Sequence, residues 1–393
     1  MGALTGYTVV DLTQGYGGPF CTMQLVDFGA NVIKVEKKGL GDVSRKRLPI
    51  KNGRSGFFVT YNRGKKSLAL DLEKQGGRDI LTALIAGADV LVVDYEAEYI
   101  RDLDLGYDRL AQRNPRLIYA SLSGFGEYGP MSFYRAHDIT VQAASGTMAM
   151  TGFPDDDPVK IGVAVGDSLT GSKLCLGILM ALFSRLKTGQ GQKIEIAKMD
   201  ALFEINESPV LFQTVLGQET TRAGNGDATL TPYEIYETAD GFISIGVASE
   251  SIWPNFCNGM DMEYLMQDER FVTNEKRLEN FDSLHGLIKQ YVLTKTTEDL
   301  QDRLVELGVP CAPVLSIAEI MKHPQLKARD MIGEMQDPVI GTFSIPGIPI
   351  KLEKSPGKIQ GQAPELGEHT AEILQSLGYS RDEIENFKNL EVV

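Results

Sequence analysis

A strand, a glycine turn, a helix and a second strand follow one another in the first 36 residues, and this order restricts the fold more than any other feature of the sequence. Residues 7–12 (YTVVDL) form a short apolar, β-branched run that predicts a buried strand. A glycine-rich turn at 15–19 precedes apolar residues at helical spacing over 20–28, and Gly29 is placed to end that helix. Residues 31–36 (NVIKVE) predict the next strand. The chain therefore opens with a βαβ unit and two parallel strands.

The alternation of strand and helix continues to about residue 122. Residues 67–72 predict a strand, and the helix predicted over 77–86 follows it. Residues 90–94 and 117–122 predict two more strands. Alternation of this kind favours a parallel sheet with helices on both faces, so the predicted fold class is α/β.

The pattern changes in the second half of the chain. Residues 170–186 predict a long apolar helix, 193–197 a strand and 200–216 another helix. Residues 232–247 predict a hairpin, and helical segments follow it. The Gly- and Pro-rich residues 341–364 indicate a linker, after which two amphipathic helices end the chain.

These changes predict two domains, which is reasonable for a chain of 393 residues. The predicted boundaries are a large domain over 1–197, a linker helix and glycine loop over 198–226, a small domain over 227–325, and a linker with C-terminal helices that return to the large domain over 326–393.

Composition excludes several classes of protein. The net charge is −14, from 53 acidic and 39 basic residues, so duplex nucleic acid is not an expected partner. No stretch approaches about 18 uncharged apolar residues, and we expect no membrane span. The first residues show no basic segment followed by an apolar run, so a secretory leader is not expected and a cytoplasmic location fits best.

Known cofactor and metal signatures are also missing. The glycines at 15–18 do not make the dinucleotide pattern G-x-G-x-x-G, and no Walker A sequence occurs. The four cysteines lie far apart without a C-x-x-C pair, and no His/carboxylate cluster has metal-ligand spacing. We therefore predict no metal site.

Basic clusters occur near the start of the chain, at 34–38, 45–47 and 63–66. Solvated surface charge is the simpler interpretation of such clusters. A local basic site on an acidic protein could instead hold an anionic small ligand.

Two residues are candidates for chemistry. His137 follows the glycine-rich stretch after the last predicted strand of the parallel sheet, where α/β sheets place ligands. Asp167 lies between a predicted apolar strand and the long apolar helix, with glycines on both sides. It suits a helix N-cap. It also suits a nucleophile, because glycine permits close approach of a large substrate and a helix N-terminus favours anions.

With these residues in view, the sequence resembles the class III coenzyme A transferases, a superfamily that also includes α-methylacyl-CoA racemase. The resemblance runs nearly end to end. Besides the Asp167 segment it rests on ordered short matches at 17–19 (GGP), 29–36 (GANVIKVE), 62–72 (NRGKKSLALDL), 114–120 (NPRLIYA), 123–126 (SGFG), 188–192 (TGQGQ), 308–314 (GVPCAPV) and 366–370 (LGEHT).

The resemblance implies a Rossmann-like large domain, a smaller α+β domain and long linkers. It also implies a homodimer in which two chains thread through each other as interlocked rings. The implied substrates are an acyl-CoA and a carboxylic acid, with no cofactor beyond CoA itself as co-substrate.

The resemblance also assigns roles to single residues. Asp167 matches the aspartate that is acylated, first as an acyl-aspartyl anhydride and then as an aspartyl-CoA thioester. The remaining implied positions are Gln14, Tyr16, His137 and Asp138 around the substrate, the closing glycine loop at Gly224, Asn225 and Gly226, and Lys37, Lys38, Arg45, Leu70 and Arg135 along CoA. Residues 94–98 (DYEAE) depart from the family pattern, which leaves one CoA contact unassigned.

Two alternatives to a transferase stay open at this level. Racemases of the superfamily have His followed by Asp where this chain has His137 and Asp138, and His137 with Asp167 could act as an acid/base pair on a substrate α-carbon. A non-catalytic partner subunit is the other alternative, and loss of the nucleophile would mark it. Asp167 is present.

Overall fold

A computed structural model describes all 393 residues. The chain forms two compact units. Unit 1 contains Met1–Met148, Lys160–Leu211 and Pro324–Val393, and unit 2 contains Ala149–Val159 and Phe212–His323. The domain boundaries expected from the sequence stay a prediction.

The strands are β1 (Thr8–Leu12), β2 (Asn31–Lys37), β3 (Ile50–Lys51), β4 (Arg54–Ser55), β5 (Lys66–Leu70), β6 (Val90–Val93), β7 (Ile118–Ser123), β8 (Gln192–Ala197), β9 (Tyr233–Glu237), β10 (Phe242–Gly246), β11 (Cys311–Pro313), β12 (Ile332–Asp337) and β13 (Gly341–Pro346).

The helices are α1 (Gly17–Asp27), α2 (Gly56–Asn62), α3 (Gln75–Ala86), α4 (Ala97–Asp102), α5 (Tyr107–Arg113), α6 (Asp138–Ala144), α7 (Val165–Thr188), α8 (Lys198–Glu204), α9 (Glu207–Leu211), α10 (Trp253–Gly259), α11 (Asn274–Glu279), α12 (Phe281–Val292), α13 (Thr297–Glu306), α14 (Ile317–Ile320), α15 (Pro324–Ala328), α16 (Thr370–Ser376) and α17 (Arg381–Asn389).

Unit 1 is built on a six-stranded sheet with the order β5-β2-β1-β6-β7-β8, in which every neighbouring pair is parallel. The predicted α/β class and parallel sheet are confirmed. The strand order reverses between β1 and β6, and open α/β sheets bind ligands outside the carboxyl ends of the strands at such a point.

Apolar side chains cover both faces of this sheet, as the continuous apolar runs in its central strands require. On one face the strand residues pack with α3, α5 and the C-terminal helices, whose Leu374 and Ile384 are buried in the same cluster as Leu70. On the other face they pack with α1 and α7, including Leu25 and Leu174.

Helix α7 is long and apolar enough to cross a membrane by length and composition alone, although the sequence was expected to contain no such segment. A core helix passes the same test, and Leu174, Ile178 and Leu182 of α7 are buried against the sheet. Its other side exposes Met180 and Phe183.

Helices α1 and α7 approach each other closely because glycines face each other at the crossing. A Cβ atom on Gly171 would lie only 2.5 Å from the carbonyl oxygen of Gly17. Gly17 itself lies beside Asp167, since a Cβ there would be 3.3 Å from Oδ1 of that carboxylate. The crossing therefore fixes the start of α7 next to the turn after β1.

Unit 2 contains a three-stranded antiparallel sheet, β11-β10-β9, and helices α10 to α13. Its core includes Trp253, Phe256 and Leu284. Arg277 is buried beside that core, where it stacks over the Trp253 ring and donates from Nε to the Thr231 carbonyl.

The structure corrects four local predictions. No strand precedes α7, since residues 158–164 form no regular secondary structure and pair with no strand. Helix α7 begins at Val165, five residues before the predicted start. The helix predicted over 200–216 is broken into α8, α9 and a π-helical turn at Phe212–Leu216. Part of the segment predicted as a linker is β13, which pairs with β12. Composition indicated the linker but carries no information on that pairing.

Substitution Gly171→Ala tests the helix crossing. Because the added methyl group would meet a backbone oxygen, we expect the free energy of unfolding to fall by about 1–3 kcal/mol. Gly286→Ala in α12 is the matched control, since open space surrounds that position and the exchange should raise stability by up to about 1 kcal/mol. Urea unfolding measures both, and equal effects of the two substitutions would contradict the crossing.

Candidate active site

A cluster of buried charges holds the turn that follows β1. Asp11 is fully buried and accepts hydrogen bonds from the Thr13 amide, the Thr22 hydroxyl and Lys65 Nζ, the last at 2.9 Å. Burial alone would raise the pKa of Asp11, but the ammonium groups of Lys34 and Lys65 lower it well below its usual range. Burial also lowers the pKa of Lys65 to about 8.

A second carboxylate extends this cluster to the turn itself. Lys34 Nζ lies 2.7 Å from Asp42 Oδ2 and donates to the Thr13 carbonyl at 2.8 Å. Asp42 accepts the Gly15 amide at 3.1 Å and the Ser44 amide at 2.7 Å. The backbone from Thr13 to Gly15 is therefore fixed by charge-assisted hydrogen bonds on two sides.

Gln14 bridges the two strands at which the sheet order reverses. Its backbone amide donates to Asp94 Oδ2 at 2.9 Å, and its side-chain Nε2 donates to the Tyr95 hydroxyl at 2.7 Å. Burial raises the pKa of Asp94 to about 7. The departure from the family pattern at 94–98 thus includes a half-buried acid that accepts a hydrogen bond from the Gln14 backbone.

Tyr16 connects the turn to α7. Its hydroxyl lies 2.8 Å from Ser168 Oγ, one residue after Asp167. Its ring packs against the rings of Phe20 and Tyr61, at centroid distances of 5.7 and 4.7 Å. This packing leaves the hydroxyl directed at the first turn of α7.

Asp167 is the third residue of α7 and is only 9% exposed. The N-cap position belongs to Ala164, so the interpretation of Asp167 as an N-cap is wrong. Its Oδ1 forms an ion pair with Lys198 Nζ at 2.6 Å.

Asp138 caps the helix instead. Its Oδ1 accepts the amides of Gly166 at 2.8 Å and Asp167 at 3.2 Å, and its Oδ2 accepts Gln142 Nε2 at 2.6 Å. The Val165 amide donates to the Val163 carbonyl, and the Ser168 amide donates to that of Ala164. All four backbone amides of the first turn of α7, at 165–168, therefore donate hydrogen bonds within the protein.

These groups surround a cleft of about 590 Å³ at the carboxyl edge of the sheet. This volume lies in the range of small-molecule sites. The side chains that line it include Gln14, Tyr16, Arg47, Asp94, Tyr95, Arg135, His137, Asp167 and Lys198.

His137 and Arg135 reach this cleft from the segment before α6. His137 is exposed and takes the N-cap position of α6, and no hydrogen bond or ion pair joins it to Asp167. The Arg135 side chain is 90% exposed, and its Nε lies 3.5 Å from Glu96 Oε1.

The other predicted CoA contacts lie at the ends of β2 and β5. Lys37 and Leu70 line a small pocket with Tyr95 and Tyr99, and Lys38 follows β2 directly. Arg45 is engaged elsewhere. It forms a bidentate ion pair with Glu36, both bonds being 2.8 Å long.

The predicted glycine loop belongs to unit 2. The Gly224 amide donates to the Gly152 carbonyl at 3.0 Å, and Gly224 has a φ of +62° with the Phe153 ring beside it. A side chain at Gly224 would be strained and would clash with that ring. Asn225 and Gly226 form the rest of the loop, and Asn225 is exposed.

Sequence analysis did not single out Lys198, the cation that contacts Asp167. The signal was its position, because it comes directly after β8 and so at the carboxyl edge of the sheet. Its partner could not be predicted, since the two residues are 31 positions apart in the sequence, with most of α7 and all of β8 between them.

Fold and site together define an α/β protein with a buried carboxylate in a cleft at the strand-order reversal. The sequence model of CoA-transferase family III matches residues 4–370. The chain is 37% identical over 388 residues to the succinyl-CoA:mesaconate CoA-transferase of Haloarcula hispanica, across 96% of this chain and 97% of that protein. It is 33% identical over 383 residues to the succinate–glutarate CoA-transferase of Agrobacterium fabrum, across 95% of each.

Solved structures agree with this assignment. A CAIB/BAIF family protein from Brucella suis has a TM-score of 0.84 and 32% identity, with 96% of this chain and 99% of that one covered. The chain belongs to CoA-transferase family III and is an enzyme of that class, as its resemblance implied.

Substitution Asp138→Ala tests how the start of α7 is held. Loss of the cap should lower the free energy of unfolding by about 0.5–2 kcal/mol, and the displaced Asp167 should lower kcat. Asp138→Asn keeps an oxygen acceptor and should lose less of both. Chemical unfolding and steady-state kinetics measure the two quantities, and an unchanged kcat in Asp138→Ala would contradict a role for this cap.

Proposed function

We propose that this protein transfers CoA from an acyl-CoA to a carboxylic acid, and that Asp167 is the group that becomes acylated. The observation that carries the proposal is the buried Asp167 carboxylate, which lies in a cleft at the strand-order reversal within a chain of this family. A largely desolvated carboxylate is a better nucleophile than a hydrated one. The aspartate also regenerates at the end of each cycle.

The proposed reaction has four steps. Asp167 attacks the donor carbonyl, the C–S bond breaks, and an acyl-aspartyl anhydride and CoA thiolate form. The thiolate attacks the Asp167 carbonyl, which yields an aspartyl-CoA thioester and releases the donor acid. The acceptor carboxylate then displaces the thiolate, and the thiolate attacks the acceptor carbonyl of the second anhydride. No electrons are exchanged with a redox group, so no cofactor beyond CoA is required.

The acids are proposed to be dicarboxylic. The relatives named above act, by their names, on succinyl-CoA with mesaconate and on succinate with glutarate, and all of these acids carry two carboxylates. Arg47 and Arg135 line the same cleft as Asp167 and supply positive charge for such substrates.

CoA is proposed to extend from this cleft towards the ends of β2 and β5. Lys37 and Lys38 are available there for its phosphates, whereas Arg45 would first have to leave Glu36. The loop at Gly224, Asn225 and Gly226 is proposed to close over the intermediate and keep water from the anhydride. Gln14 and Tyr16 are proposed to contact the substrate.

The proposal includes a cytoplasmic homodimer of interlocked chains that binds neither nucleic acid nor membrane. The exposed apolar side chains on α7 support it, because a second chain would cover them: Leu176, Leu179, Met180, Phe183 and Leu186. A racemase that uses His137 and Asp167 is not favoured, since the named relatives are transferases.

Substitution Asp167→Asn tests this function. With succinyl-CoA and a panel of dicarboxylic acids in D2O, we expect wild-type protein to exchange CoA without placing deuterium at the α-carbon. Asp167→Asn should lower kcat on the order of 10³-fold or more, because it removes the nucleophile. His137→Ala discriminates between the two functions, because the transferase should still exchange CoA without this imidazole, whereas the racemase requires it. Mass spectrometry measures both products, and α-deuteration that depends on His137 would support the racemase instead.

A further inference from the structure

Lys198 forms an ion pair with Asp167 that the proposed reaction must break. Lys198 Nζ lies 2.6 Å from Asp167 Oδ1, and the side chains of Lys198 and Asp167 are 15% and 13% exposed. An ammonium group in such a place is costly unless it is paired. Lys198 is also the first residue of α8, where the helix dipole disfavours a positive charge.

The charge on Asp167 disappears during the reaction proposed above. The resting carboxylate carries one negative charge, but the anhydride and the thioester of Asp167 carry none. In each of these states another anion occupies the cleft, first the CoA thiolate and then the carboxylate of the departing or arriving acid. Lys198 therefore loses its anionic partner in the same states in which these new anions require a positive charge beside them.

Other groups around Asp167 are less able to stabilise the anions that form in the cleft. Asp138 and neighbouring carbonyls occupy every amide in the first turn of α7. Arg135 is 90% exposed and lies beside Glu96, and Arg47 stacks on the Phe57 ring. Lys198 is the cation in contact with the carboxylate.

We propose that Lys198 is the binding residue for the carboxylate that reacts at Asp167. It pairs with Asp167 in the resting enzyme, holds the donor acid as it leaves, and binds the acceptor carboxylate beside the aspartyl-CoA thioester. This inference rests on the proposed function, because it requires Asp167 to be acylated.

The test separates the two half-reactions in Lys198→Met. Acylation is measured with succinyl-CoA alone, by trapping the Asp167 thioester with hydroxylamine and quantifying the peptide by mass spectrometry. Acceptor binding is measured as KM for the dicarboxylic acid, among mesaconate, oxalate and glutarate, that the wild-type protein uses best. We expect acylation within about threefold of wild type and an acceptor KM raised roughly 10- to 100-fold, the loss of one charge-assisted hydrogen bond.

Two further variants distinguish loss of acceptor binding from a purely structural effect of the substitution. Lys198→Arg keeps the charge and should restore most of the acceptor affinity. Lys173→Met is the matched control, because the Lys173–Glu204 ion pair joins the same two helices, α7 and α8, and Lys173 does not line the cleft. It should leave both half-reactions unchanged.

Three results would overturn the proposal. An acceptor KM within threefold of wild type in Lys198→Met would show that Lys198 does not bind the acid. A loss of acylation as large as the change in acceptor KM would make Lys198 a positioning residue for Asp167. Absence of any Asp167 adduct in the wild-type protein would instead refute the proposed function, on which this inference depends.

Discussion

The buried charge cluster around Asp11 is the interaction on which the rest of the site depends. Two lysines neutralise this carboxylate, which lies near the carboxyl end of β1, and one of them also binds Asp42. A buried charge that lost its partner would cost several kcal/mol, roughly 3–5. The cluster therefore has one low-energy arrangement, and that arrangement sets the backbone of the turn after β1.

The position of Asp167 follows from this turn. The turn leads into α1, whose first glycine touches α7 beside Asp167, and Tyr16 bonds to Ser168 one residue further along. Asp138 completes the placement by binding the first amides of α7. Asp167 is thus held by rigid elements rather than by a loop, which favours a reproducible geometry at the reacting group.

Local periodicity explains how much of this structure the sequence could predict. The strands predicted at 31–36 and 90–94 are observed at Asn31–Lys37 and Val90–Val93, because a buried strand requires a continuous apolar run. The break between α8 and α9 and the pairing of β12 with β13 depend on tertiary contacts that no local pattern records. The domain boundaries stay a prediction.

In the candidate site, too, local sequence patterns predict some residues, whereas others depend on tertiary contacts. Asp167 could be found from its glycines and its place before an apolar helix, and the family resemblance gave it a role. Asp138 as the cap and Lys198 as the ion-pair partner could not be found, because each comes from a different element that only the fold brings to α7. Family resemblance located Arg45 but not its ion pair with Glu36.

Transfer of oxygen from the acceptor acid tests the central claim, acylation of Asp167, most directly. In the proposed steps an acceptor carboxylate labelled with ¹⁸O leaves one of its oxygens on Asp167 when the second anhydride is cleaved. The next turnover passes that oxygen to the released donor acid. Mass spectrometry of the donor acid should therefore find label that rises over the first turnovers towards one ¹⁸O per molecule, because either oxygen of the Asp167 carboxylate can attack the donor, whereas donor acid without label over many turnovers would contradict a covalent role for Asp167.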